Sequence, residues 1–240
     1  MDEKTEQAIK FIKININKFG KDNMIALTSF GKDSNVLVHL IRQVDPNFKF
    51  VWVRTPFKPK ATYELADLLT KEWNLNLDIA ESKHLQDKDF MKNIIEIPNL
   101  PKSDPEECCA ILKVEPIMRY VQEHKLKAWF SGLRGTESEK RKHFLPEWYQ
   151  KDFVKLHPIL DWTEAEIWRY HACHQIPIHP YYCEGYRSLG CEPCSFPGGK
   201  TEREGRWKDT AMIGLGCGLH CVPPYASEQE MKRALKESHK

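Results

Sequence analysis

The sequence predicts an α/β fold: a doubly wound, mostly parallel sheet followed by a loop-rich, mobile C-terminal tail. Three observations predict it. Short runs of β-type apolar residues at 23–29, 48–53, 75–79, 128–133 and 153–160 read as buried strands. Segments with apolar residues at helical spacing lie between most of them, and that alternation sets strands side by side in parallel. The first run also passes through a tight polar turn directly into a helix, which puts a ligand site at the strand C-terminal ends.

Residues 4–19 carry Ala8, Ile12, Ile16 and Phe19 on one helical face. This helix packs on the domain or on a partner subunit, so a homo-oligomer stays open. After the strand at Asn23–Ser29, the turn Ser29-Phe30-Gly31-Lys32-Asp33-Ser34 leads into a helix with Val36, Leu37, Leu40, Ile41 and Val44 on one face. Backbone N–H groups at such a helix start, with the helix dipole, favour an anion, and Lys32 adds a cation. The turn lacks the glycine–lysine spacing of a Walker A loop. A second strand, Phe48–Val53, is followed by a helix bearing Leu65, Ala66, Leu69 and Trp73, then a third strand at Leu75–Ile79. Residues 81–103 are polar and irregular and read as a lid or connector. Asp104-Pro105-Glu106-Glu107 has the marks of a helix start, which puts Cys108 and Cys109 in the first turns of a helix that Pro116 breaks or kinks. Ala128–Leu133 and Phe153–Leu160 are further strands. Thr163 and Glu166 form a capping box for the next helix, where Ile167, Trp168 and Tyr170 pack. Cys173 and Cys183 read as structural. From Pro197 the chain is loop-rich.

The 240 residues suffice for one large domain, and 36 Lys+Arg against 34 Asp+Glu leave a net charge of +2. Nothing in that balance points to nucleic acid, so any anion site must be local. No apolar run reaches the ~20 residues of a membrane span, and the charged start Met1-Asp2-Glu3-Lys4 is not a signal peptide. The 8 cysteines are therefore expected in a reducing cytoplasm, serving metal or catalysis rather than disulfides.

Four of them sit in two clusters, Cys108-Cys109 and Cys191-Glu192-Pro193-Cys194. The second pair has a spacing common to zinc and iron–sulfur sites. Adjacent cysteines suit an iron–sulfur cluster better than zinc, because cluster ligands stand further apart; zinc and redox-active thiols remain alternatives. Cys217, in Gly216-Cys217-Gly218-Leu219-His220, differs. Glycine on either side gives a flexible backbone, and a thiol there reads as a nucleophile.

Taken in order, Cys108-Cys109 with Lys113-Val114-Glu115-Pro116, Gly190-Cys191-Glu192-Pro193-Cys194, Glu202-Arg203-Glu204-Gly205-Arg206-Trp207 and Cys217-Gly218-Leu219-His220 resemble an assimilatory sulfonucleotide reductase. That family comprises adenylyl-sulfate and phosphoadenylyl-sulfate reductases, and the resemblance spans about residues 20 to 221. The turn at 29–34 resembles the pyrophosphate loop of adenine-nucleotide α-hydrolases, with Phe30 in place of a glycine. The family pattern has a second arginine where Gly135 stands, and a glutamate where Gly216 stands.

The resemblance implies a [4Fe-4S] cluster on Cys108, Cys109, Cys191 and Cys194. It implies substrate contacts from Ser29, Phe30, Gly31, Lys32, Asp33, Ser34, Lys113, Arg134, Arg203, Arg206 and His220, with Arg141 as a further anion contact. Residues 1–196 then form the nucleotide- and cluster-binding domain, and 197–240 a C-terminal segment carrying the nucleophile, one domain overall. The implied reaction reduces a sulfated adenine nucleotide to sulfite through an S-sulfocysteine on Cys217. Thioredoxin or a similar dithiol supplies the electrons. The alternative is an ATP-pyrophosphatase-type iron–sulfur sulfurtransferase, favoured by Lys32, Asp33 and Ser34 and opposed by Cys217 and the Arg203/Arg206 pair.

Overall fold

In the computed structural model, the structure describes residues 2–86, 108–208 and 219–220. Its strands are β1 Met24–Thr28, β2 Lys49–Val53, β3 Asn76–Ala80, β4 Ala128–Phe130, β5 Glu147–Gln150 and β6 Phe153–Leu156. They form a six-stranded sheet in the order β3-β2-β1-β4-β6-β5, parallel except for the antiparallel edge strand β5. The chain builds outward from β1 through β2 to β3, then returns to place β4 on the other side of β1. The crevice between the C-terminal ends of β1 and β4 is therefore the switch point where open α/β sheets bind ligands.

Helices cover both faces: α1 Glu3–Phe19, α2 Lys32–Val44, α3 Lys60–Glu72, α4 Glu115–Glu123 and α5 Glu164–His174. Strand alternation decides which residues meet them. Ala26, Phe50 and Phe130 are register partners and face α1, α2, α3 and α5, where Ile12, Leu40, Leu69 and Ile167 are buried. Ile25, Trp129 and Phe153 point the other way, against Ile117, Met118 and Val121 of α4. Each fully buried Leu, Ile, Phe or Met among them gains about 1.5–3 kcal/mol by leaving water.

Local signals fix the helix ends. Asp2 caps α1 by accepting from the Thr5 amide at 2.8 Å, and the Thr163–Glu166 capping box opens α5. The first helix packs on the domain itself, with Ala8 and Ile12 in the core. Cys108 and Cys109 are helical, but the helix then widens into a π-segment, Ala110–Val114, before α4. Pro116 explains this: its ring would clash with the carbonyl four residues back in an α-helix, and it has no N–H to donate.

Three expectations need correction. The strand from Phe153 stops at Leu156 rather than Leu160, because Pro158 cannot donate to a sheet ladder. The edge strand β5 was not anticipated; Lys151 at φ 53° makes the tight hairpin that folds it back onto β6. Cys173 and Cys183 are exposed thiols, not packed ones. The proposed helix start at 104–107, most of the connector and Cys217 lie outside the described residues. Among the described residues, no helix is long and apolar enough to cross a membrane.

Candidate active site

The loop after β1 is built on a strained residue. Phe30 has φ 57°, a left-handed conformation that costs a side-chain-bearing residue about 1–3 kcal/mol. The ring offsets this by burying itself edge-on against Trp52, with centroids 5.1 Å apart. Phe30 thus anchors the loop from below, and its neighbours Ser29, Gly31, Lys32, Asp33 and Ser34 line the cavity. The Ser34 hydroxyl ties the turn together, accepting from the Ser29 amide at 3.2 Å and donating to the Gly31 carbonyl at 3.0 Å. Gly31 at the start of α2 has no side chain to cap it, and the Lys32 amide donates to the hydroxyl of Tyr182, another cavity residue, at 3.0 Å. Across the crevice, Gly132 after β4 lets the chains approach: a Cβ there would sit 3.0 Å from the Asp33 carbonyl oxygen.

Beneath the loop lies a buried ion network. Lys32, 1% exposed, donates to Glu202 at 2.6 Å and to the Arg187 carbonyl at 2.8 Å. Arg134, 0% exposed, bonds Asp33 at 2.6 Å and also pairs with Glu202. Arg134 was expected to contact substrate; it lies under the cavity and holds the loop instead. Burial alone would raise the Asp33 pKa, but Lys32 and Arg134 outweigh it and hold the carboxyl below its ordinary value. Asp33, Glu137 and Glu202 bring carboxylate oxygens within 4.8 Å of one another, as a metal site would. Here the cations are already present: Glu137 pairs with Arg141 and lies 3.6 Å from Arg203.

The rest of the cavity wall is basic: Lys58, Lys113, Arg141, Arg203 and Arg206 all line it. Arg206 stacks 4.2 Å above the Trp207 ring and donates to the Cys194 carbonyl at 3.0 Å. Gly190 makes room for it, since a Cβ there would lie 2.3 Å from the guanidinium. His220 also lines the cavity, but burial first, then Arg141, His157 and Lys155, push its pKa well below the ordinary value. It is neutral at neutral pH and adds no positive charge.

The paired cysteines lie beside this wall. Cys108, Cys109, Cys191 and Cys194 are all buried and form no disulfide. Lys113 Nζ donates to Cys109 Sγ at 3.6 Å, and its charge also acts on Cys191. Burial would raise the Cys191 thiol; Lys113, Lys58, a 3.1 Å hydrogen bond with Thr55 and Arg206 outweigh it and favour the thiolate. A single zinc ion holds its sulfurs roughly 3.8 Å apart. Among the described residues, no three of these thiols fall within 4.8 Å of one another. The donor set, four soft and buried thiols in two pairs, fits an iron–sulfur cluster.

Sequence reasoning missed three residues. Glu137 aligns two cavity arginines, Glu202 joins Lys32 to Arg134, and Lys155 is a buried lysine in β6. Glu202 opens a motif already singled out, so its neighbours were the available signal.

Comparison with known proteins agrees with this architecture. A family description, the phosphoadenosine phosphosulfate reductase domain, matches residues 23–197. The chain is 34% identical to adenosine 5'-phosphosulfate reductase of Bacillus mycoides (strain KBAB4), over 91% of this chain and 92% of that protein. It is 36% identical to the enzyme of the same name from Bacillus cereus (strain Q1), over 83% of this chain and 85% of that one. Among solved structures, phosphoadenylyl-sulfate reductase from Candida auris superposes with a TM-score of 0.68 at 19% identity, covering 78% of this chain and 88% of that chain. The ammonia-dependent NAD synthetase of Campylobacter jejuni shares the fold at a TM-score of 0.51 and 18% identity, covering 79% of this chain and 80% of that chain. With the domain match over most of its length and relatives above 30% identity, the chain is an oxidoreductase and belongs to the phosphoadenosine phosphosulfate reductase family.

Proposed function

We propose that the chain reduces adenylyl sulfate to sulfite and AMP, with Cys217 as nucleophile and a thioredoxin-like dithiol as reductant. One observation carries this reading: Lys113, Arg203 and Arg206 converge on the switch-point cavity, and Lys113 also touches Cys109 of the cysteine frame. Thiolate attack on a sulfate brings two anions together, a repulsion of several kcal/mol once water is excluded. A wall of fixed cations offsets that repulsion and stabilises the charge that grows on the leaving phosphate. The start of α2, with Ser29 and Ser34 beside it, serves the nucleotide phosphate, and the buried Lys32 holds that turn from below.

The Cys217 thiolate attacks the sulfur of the sulfate. The sulfur–oxygen bond to phosphate breaks, the electron pair leaves with AMP, and Cys217 carries an S-sulfo group. One thiolate of the dithiol attacks Cys217 Sγ and expels sulfite; its second thiol resolves the mixed disulfide and regenerates Cys217. The dithiol loses two electrons and the sulfur gains two. Dividing one hard step into two is the advantage of covalent catalysis. A [4Fe-4S] cluster on Cys108, Cys109, Cys191 and Cys194 would supply a charged, polarising centre next to Lys113.

The test is sulfite release with thioredoxin or dithiothreitol from adenylyl sulfate, its 3'-phosphorylated form and ATP in parallel. Sulfite from adenylyl sulfate is the expected result. Conversion of ATP to AMP and pyrophosphate without sulfite would select the sulfurtransferase instead. A selective prediction concerns Gly190→Ala. The added methyl meets the far end of Arg206 rather than backbone, so the guanidinium moves while the backbone stays. The expected outcome is a KM for adenylyl sulfate raised about tenfold, with a stability loss of about 1.5–3 kcal/mol from the displaced Arg206 hydrogen bond, because a charged hydrogen-bonding group is lost from the site.

A further inference from the structure

Strand β6 carries a lysine where its sheet face is otherwise apolar. Lys155 is the register partner of Trp129 and follows Phe153 on the face that α4 covers. It is 0% exposed, with its ammonium 4.9 Å over the Trp129 ring. Burying an ammonium is costly unless hydrogen bonds replace its water. Its Nζ donates at 2.9 Å to the carbonyl of Leu219 and at 2.9 Å to that of His220. Leu219 packs against the same apolar face. The His220 ring stands edge-on to Phe144 and to His157, at 6.4 Å and 6.1 Å. Both Leu219 and His220 line the cavity.

We propose that Lys155 is a positioning residue for sulfur transfer: it fastens the Leu219–His220 backbone to the cavity wall, and so fixes the chain immediately after the Cys217-Gly218 pair. The proposal deepens the reading of Cys217 as nucleophile and rests on it. Lys155 acts through two backbone carbonyls rather than on substrate. An apolar side chain would satisfy the sheet face equally well but could not donate to those carbonyls. Removing it should therefore spare nucleotide binding and slow the step that needs Cys217 in place.

The experiment compares wild type with Lys155→Met in the full chain, with radiosulfur-labelled adenylyl sulfate and no reductant. It measures the rate at which protein acquires label, the affinity for AMP and the thermal midpoint. The expected result is a labelling rate at least about tenfold lower, the loss of charged hydrogen bonds, with AMP affinity within about twofold of wild type. Labelling at the wild-type rate overturns the proposal, as does a parallel fall in labelling, AMP affinity and thermal midpoint, which marks a merely structural lysine. If wild type itself takes up no label, the nucleophile reading fails, and this proposal falls with it. Should Lys155→Met not fold, Lys155→Arg is compared with Lys155→Gln. Arginine keeps the charge and the donors and should retain more of the labelling rate; equal rates overturn the proposal.

Discussion

Cys217→Ser is expected to end sulfite release from adenylyl sulfate, lowering turnover by at least about a thousandfold. Serine keeps the size of the side chain but not its nucleophilicity; a hydroxyl remains protonated at neutral pH, whereas a thiol is readily ionised. The proposed nucleotide contacts come from other segments that line the cavity, the turn around Ser29 and Ser34, Lys113, Arg203 and Arg206. AMP affinity should therefore persist in the variant, which separates lost chemistry from lost folding. Sulfite colorimetry on equal amounts of protein makes the measurement, and a variant retaining even a tenth of wild-type turnover speaks against Cys217.

The second large effect is on stability. Glu202→Gln removes the carboxylate shared by Lys32 and Arg134, both almost wholly buried. Breaking a buried pair by deleting one partner costs about 3–5 kcal/mol, because the remaining charges lose their compensation. For a chain of this size the thermal midpoint should fall by roughly 6–20 °C.

The sign of the pH dependence follows from the partners. Asp33 is held below its ordinary value, so its contribution is present above the unfolded carboxyl pKa and is lost as pH falls through the folded one. For Lys32, burial lowers the pKa, but Asp33, Tyr182 and Glu202 outweigh it and hold it above the ordinary value. Its contribution is present below the unfolded lysine pKa and is lost as pH rises through the folded one. The network is thus at full strength between roughly pH 5 and pH 10. Thermal unfolding of both proteins, followed within and beyond that range, should show a gap that is widest inside it and narrows on either side. An unchanged midpoint at pH 7 would mean that the network contributes nothing.

Much of this was legible in the sequence, for physical reasons. Strands on the inside of a parallel sheet are apolar on both faces, so β1, β2 and β4 announced themselves. The Ser29–Ser34 turn could be read because a strand entering a helix start has few other uses. The two cysteine pairs stood out by their spacing, and all four side chains are buried. Strand β5 escaped because Glu-Trp-Tyr-Gln on a sheet edge, half in water, has no apolar run to reveal it. Phe30 looked like a substrate-loop residue; only its φ and its contact with Trp52 show a foundation stone. Arg134 looked like an anion contact because nothing in a linear sequence says that Glu202 will fold back onto it. Lys155 escaped for the same reason: a lysine in a strand reads as solvent-facing until its partners, 64 and 65 residues away, are in place.

The central claim is that sulfur passes from nucleotide to protein before it is reduced. The most direct measurement is to incubate the protein with radiosulfur-labelled adenylyl sulfate, without reductant, then digest it and locate the label. The account predicts AMP and a single labelled peptide, containing Cys217, that gives up its label as sulfite when thioredoxin is added. Sulfite formed with no labelled protein at any time, or label carried by a peptide lacking Cys217, would contradict it.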